Sequence, residues 1–256
     1  MAASASAARL LRSWALPSGL RLELHLTPDV VAHPPLGRCD ALVNPANEAL
    51  VGTKLPYFPM PFDPPPGLQT SRWCGMEAGE NMFYPAQVVD GRVHALGGDG
   101  LRQACQAFPE LEPGVRCRVG GAVVTPAVGE LQRFYSQIIH TVPPMYGTPN
   151  WSSALASCYS AALAAAWAHG SPLQAIASPL LGAGARGAPV AEAARVAARA
   201  LVAAPAAGAS RAPLATVGCI VCLAVREEAI AVQVEAEVCL ATSAAVPTAA
   251  TPAPLN

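Results

Sequence analysis

Residues 42–50 read Leu-Val-Asn-Pro-Ala-Asn-Glu-Ala-Leu. The apolar run Ala41-Leu42-Val43 reads as the end of a buried strand, and it stops at two primary amides, Asn44 and Asn47, three residues apart. A strand that closes on amides and a proline presents polar groups where the chain leaves the sheet. Strand-like segments alternate with helix-like ones along the rest of the chain, which predicts an α/β class.

Leu20, Leu22, Leu24 and Leu26 alternate with Arg21, Glu23 and His25, the period of a half-buried strand. Further strands are expected at 39–43, 119–125, 137–142, 173–178 and 216–225. Helices are expected at 100–108, 152–168, 189–204 and 227–241. The third of these has Pro189 at its start, where a missing N–H costs nothing. Residues 51–87 carry Pro56, Pro59, Pro61, Pro64, Pro65 and Pro66, which bars regular helix or central strand there. Residues 1–19 are expected to be a flexible tail and 242–256 a disordered one. A single domain is therefore expected over 20–241, with a proline-rich insertion at 51–87.

Composition narrows the function classes. Of the 256 residues, 52% are hydrophobic and 13% charged, with a net charge of −1, so a core is within reach and no basic field exists to grip a polyanion. Lys54 is the only lysine, and the arginines are dispersed. Nucleic acid is therefore not an expected partner. No apolar run reaches the ~20 residues of a membrane helix. The eight cysteines are scattered and read as buried free thiols. Cys219 and Cys222 form C-x-x-C on a strand, where residues three apart face opposite sides, so no metal site is expected. The acid-free, alanine-rich start with Arg9 and Arg12 has transit-peptide composition. The compartment expected is cytoplasmic or nuclear, with organelle targeting as the alternative.

Three more stretches carry chemistry. Gly182-Ala-Gly184-Ala-Arg-Gly187 is G-x-G-x-x-G between a strand and a helix, where backbone N–H groups converge on an anion. A dinucleotide fingerprint also wants an acid about 20 residues on, and residues 207–210 hold none. That leaves an anion loop or a plain tight turn. Asp90-Gly91 precedes an apolar helical start, so Asp90 is either an N-cap or a site residue. His140 sits in an apolar strand without a nearby nucleophile or carboxylate and reads as a satisfied core histidine.

Taken in order, VNPANEAL, VVDGRVHALGG, IIHTVPP and GAGARGAP resemble the macrodomain family of ADP-ribose-binding modules. The resemblance implies a three-layer α/β/α sandwich around a mixed sheet. It also implies ADP-ribose or an ADP-ribosylated protein as ligand, no cofactor and no metal. In the family the second asparagine faces the distal ribose, which would give Asn47 that role and leave Asn44 to tie down the turn. Asp90 matches the residue that orients a hydrolytic water. Asp29 and Val30 stand where the family holds adenine, and Gly182, Ala183, Gly184, Ala185, Arg186 and Gly187 where it holds phosphate. Removal of ADP-ribose from acidic side chains, or opening of O-acetyl-ADP-ribose, would follow. A non-enzymatic reader is the competing class, and a dinucleotide oxidoreductase a more distant one. The chain is expected to act as a monomer.

Two departures stand out. The family's glycine run before V-D-G is replaced by the insertion, whose Trp73, Phe83 and Tyr84 would be either a lid over the ribose or anchors onto the domain. Arg186 stands where the family usually has an aromatic, and would pair with a phosphate or point to solvent.

Overall fold

A computed structural model describes residues 8–54, 84, 87–168, 173–204 and 218–245. Most of the insertion, with Trp73 and Phe83, lies outside the described residues, as do most of the C-terminal tail and residues 1–7.

Among the described residues, seven strands form one sheet: β1 (Arg9–Ala15), β2 (Arg21–Leu26), β3 (Ala41–Pro45), β4 (Ala122–Pro126), β5 (Gln137–Thr141), β6 (Ala175–Pro179) and β7 (Ile220–Val225). Their order is β1-β2-β7-β6-β3-β5-β4. The inner five run parallel, and the edges β1 and β4 pair antiparallel with β2 and β5. Helix α1 (Val89–Gln106) covers one face. Helices α2 (Trp151–Ala168), α3 (Val190–Val202) and α4 (Glu228–Ala245) cover the other. This is the three-layer mixed-sheet architecture implied by the resemblance.

Burial on both faces explains the composition. Ala41, Val43, Ile139, Ile176, Leu22 and Leu24 join the core under α2–α4, while Leu42, Ile138, Ala177 and Ala224 join the core under α1. Strands covered on both sides read as apolar runs rather than alternation. The expected half-buried β2 is corrected by the same fact. Its Glu23 and His25 are buried, with the His25 Nε2 2.9 Å from Glu23 Oε2, and Arg21 Nε in an ion pair with Glu23 Oε1 at 2.9 Å.

The N-terminal tail is also corrected. Residues 9–15 form the edge strand β1, and Leu11 and Trp14 pack on the core. Arg9 and Arg12 reach Glu228 and Glu235 on α4, at 2.6 and 3.3 Å. These are exposed pairs, which contribute little beyond alignment. The side-chain signal is weak because most of β1 stays open to solvent. Helix α4 runs to Ala245, four residues past the expected end.

Helix α1 begins eleven residues before the expected helix. It is broken at Gly98, whose φ of 56° and ψ of −152° separate 89–97 from the later turns. The first half buries Asp90, Gly91, Val93, His94 and Gly97 against the sheet.

Candidate functional site

A cavity of about 570 Å³ opens at the carboxyl ends of the parallel strands. Thr27 after β2, Pro45 of β3, Pro179 of β6 and Val225 of β7 lie in its wall. Side chains and loops can converge there because the strands end together while their connections diverge, and open α/β sheets place ligands at that edge.

Asp90 lines this cavity from the first turn of α1 and is only 2% exposed. Val88, not Asp90, is the residue that precedes the helix. The Asp90 carboxylate turns toward the sheet: Asn44 Nδ2 donates to Oδ1 at 2.8 Å and Thr53 Oγ1 to Oδ2 at 2.9 Å. Of the two readings of Asp90, capping is therefore excluded.

Asn44, expected to tie down the turn by bonding backbone, bonds the side chains of Asp90 and His140. Asn44 is paired in register with His140 across β3 and β5, so both point to the α1 face. Its Nδ2 also lies 3.2 Å from His140 Nδ1. With Nδ1 accepting, the His140 Nε2–H donates to Thr125 Oγ1 at 3.0 Å. His140 is thus the satisfied core histidine expected, and burial, with a smaller effect from His94, pushes its pKa down to about 3. Asn47 ties the turn instead. Its Oδ1 accepts the Val51 N–H at 3.2 Å and its Nδ2 donates to the Gly52 carbonyl at 3.3 Å, and it does not line the cavity. Sequence alone could not separate these roles, since the β3–β5 register decides them.

Gly52 explains how this turn closes. It has φ of 78°, and a Cβ there would sit 2.5 Å from the His94 ring. His94 is buried beneath it, without a hydrogen-bond partner among the described residues, and burial lowers its pKa. Tyr84 packs on the same ring at 5.7 Å between centroids.

The glycine-rich loop follows β6. Gly182 has φ of 84° and its carbonyl accepts the Ala188 N–H, while Gly187 donates to Gly184, closing the loop on itself. Gly182, Ala183, Gly184, Ala185 and Arg186 line the cavity, and Gly187 is exposed outside that lining. Of its two expected positions, Arg186 does not take the one pointing to solvent. It is 7% exposed, and its Nη2 donates to the Ala46 carbonyl at 2.9 Å, tying this loop to the asparagine turn. Its Nη1 lies 3.6 Å from the Met145 sulfur.

At the far end, Asp29 and Val30 line the wall. Asp29 Oδ1 accepts the Val31 N–H at 2.9 Å and Oδ2 accepts from Arg92 Nε at 3.1 Å. Arg92, with Arg226 and Glu227 on the rim, was not singled out from sequence. Its position two residues after Asp90 on the same helical turn was the available signal.

Among the described residues, two clusters bring metal-ligand atom types within 4.8 Å of one another: His94, Cys105 and His140, and Glu23, His25 and Cys222. In the first, both His140 nitrogens are engaged by Asn44 and Thr125. In the second, His25 Nε2 meets Glu23, which also pairs with Arg21. Both His94 ring nitrogens in the first and His25 Nδ1 in the second have no hydrogen-bond partner among the described residues. The described cysteines are free thiols.

With this geometry in place, comparison with known proteins is informative. The model of the Macro domain matches residues 76–197. A macro domain-containing protein of Ralstonia nicotianae is 31% identical over 163 residues, covering 63% of this chain and 70% of that protein. The chain belongs to the macro domain family. A macro domain-containing protein of Xanthomonas campestris pv. campestris is 39% identical over 111 residues, 43% of this chain. The match spans 59% of that relative's length. A protein of Salmonella gallinarum named O-acetyl-ADP-ribose deacetylase is 35% identical over 113 residues, 43% of this macro domain chain and 59% of that protein. The Oceanobacillus iheyensis macrodomain solved with ADP superposes with a TM-score of 0.60 at 20% identity, over 92% of this chain and 97% of that one. The likeness shows that the macro domain fold extends across the sheet. No helix among the described residues is long and apolar enough to cross a membrane.

Proposed function

We propose that this macro domain binds ADP-ribose in the 570 Å³ cavity and hydrolyses its esters, either ADP-ribosyl adducts of acidic side chains or O-acetyl-ADP-ribose. The observation that carries the reading is the convergence of three chemically distinct walls on one cavity. Asp29 and Val30 offer an acceptor and a backbone donor for adenine. The Gly182–Arg186 loop suits a diphosphate. Asp90 stands near the remaining end, where a distal ribose would lie.

In this account a water held between the diphosphate and Asp90 attacks the ester of the distal ribose. As it adds to the ester carbonyl its proton passes to the Asp90 carboxylate; the acyl C–O bond then breaks, the ribose oxygen keeps the electron pair and takes that proton back, and the carboxylic acid departs. The protein's part is positioning and general-base assistance. Asn44 and Thr53 fix the carboxylate by donating to its two oxygens. Asn47 acts indirectly, by shaping the turn that carries Thr53. Protein-linked or free ADP-ribose is preferred to a nucleic-acid-linked form, because the chain carries a net charge of −1 and a single lysine.

One observation favours a second reading. Both Asp90 oxygens already accept hydrogen bonds, the arrangement of a structural carboxylate as much as of a base. The protein would then be a reader that binds ADP-ribose without turnover. Single-turnover release of ADP-ribose from an automodified acidic substrate separates the two. The hydrolase reading predicts that Asp90→Asn binds ligand and loses release by about 10²-fold or more. Equal inactivity of wild type and variant, both binding ligand, leaves the reader.

A further inference from the structure

Arg92 crosses from α1 to the loop after β2 and holds Asp29 by its Nε, with its side chain 34% exposed. The other Asp29 oxygen accepts the Val31 N–H. A carboxylate normally turns easily about its last torsion, which is broad and two-fold. Here each oxygen is held from a different element, so the plane is fixed. The backbone beside it is fixed as well, because the Tyr135 hydroxyl donates to the Val30 carbonyl and the His33 N–H to the Asp29 carbonyl. The Val30 N–H has no acceptor among the described residues, and Val30 lines the cavity.

A fixed acceptor next to a free donor is a hydrogen-bonding edge. Adenine presents the complement, an amino donor beside a ring-nitrogen acceptor. Guanine presents a carbonyl acceptor, a ring N–H donor and an amino donor. It meets the Val30 N–H with its own N–H unless the carboxylate swings to take both guanine donors at once. We propose that Arg92 is a base-specificity residue, locking the Asp29 carboxylate beside the Val30 N–H so that the cavity takes an adenine nucleotide sugar and rejects a guanine one. The inference rests on the ADP-ribose reading of the site. Arg92 works through Asp29 and is a positioning residue.

The test compares ADP-ribose with GDP-ribose by calorimetric titration of the wild type, Arg92→Ala, Arg92→Lys and Asp29→Ala. The expected result is a wild-type preference for ADP-ribose that narrows by about tenfold in Arg92→Ala, the scale of one hydrogen bond's discrimination. Arg92→Lys, which keeps a donor at the carboxylate, recovers part of that ratio. A residue with a merely structural role weakens both ligands equally. An unchanged ADP-ribose to GDP-ribose ratio in Arg92→Ala overturns the proposal. Failure of the underlying reading looks different, because the wild type then binds neither nucleotide sugar.

Discussion

Asn44 and Asp90, 46 residues apart in the chain, are joined by a 2.8 Å hydrogen bond between the end of β3 and the first turn of α1. The same amide nitrogen reaches His140 at 3.2 Å. One buried side chain thus joins the sheet, the helix and the carboxylate that faces the cavity. Asn44→Ala leaves Asp90 Oδ1 and His140 Nδ1 without this donor. An unsatisfied buried acceptor costs about 1–3 kcal/mol. Urea unfolding should show a loss in that range or above, and a change below about 0.5 kcal/mol would contradict the network.

Asn47→Ala tests the other amide. Its bonds to Val51 and Gly52 hold the turn that carries Thr53. The expected result is a stability loss of about 1 kcal/mol with weaker ligand binding. If hydrolysis occurs, kcat at saturating ligand should fall less than with Asp90→Asn. A variant in which kcat collapses and affinity is untouched would instead give Asn47 a direct role at the ribose.

His140 makes a pH prediction. Its folded pKa of about 3 lies below the ordinary value of 6.5. The unfolded chain therefore binds the proton more readily. The stability tied to neutral His140 is complete above pH 6.5 and is lost as pH falls from 6.5 toward 3. The slope approaches about 1.4 kcal/mol per pH unit, or about 2 kcal/mol by pH 5. His94, also lowered by burial, adds loss of the same sign. Chemical denaturation at pH 7.5 and pH 5 measures this, and equal stability at the two would contradict it.

Arg186→Ala removes the strut between the glycine-rich loop and the Ala46 carbonyl. A hydrogen bond to a charged donor contributes about 1.5–3 kcal/mol. Lower stability and weaker binding of ADP-ribose are expected together, because both loops lose their mutual position. A variant with wild-type stability and only weaker binding would place Arg186 on the phosphate instead.

Much of the fold was legible because its strands are short apolar runs and its helices follow them in alternation. Edge strand β1 was not, since Leu10 stays exposed and only Leu11 and Trp14 among its large side chains pack on the core. The start of α1 was hidden by Gly97 and Gly98, which weaken a helical pattern that the structure completes by packing Val93 and His94 on the sheet. Asp90, Asp29 and the glycine-rich loop were visible as motifs. The Asn44 bonds to Asp90 and His140, the Arg186 strut and the Arg92 contact to Asp29 were not, because each depends on which distant group a side chain meets.

The central claim is that this cavity holds ADP-ribose. Calorimetric titration of the full chain with ADP-ribose, repeated with Asp29→Ala and with Asp90→Asn, tests it most directly. The account predicts saturable one-to-one binding by the wild type, an affinity loss of about tenfold or more in Asp29→Ala from one charged hydrogen bond, and retained binding in Asp90→Asn. No heat and no thermal shift at millimolar ADP-ribose would contradict it.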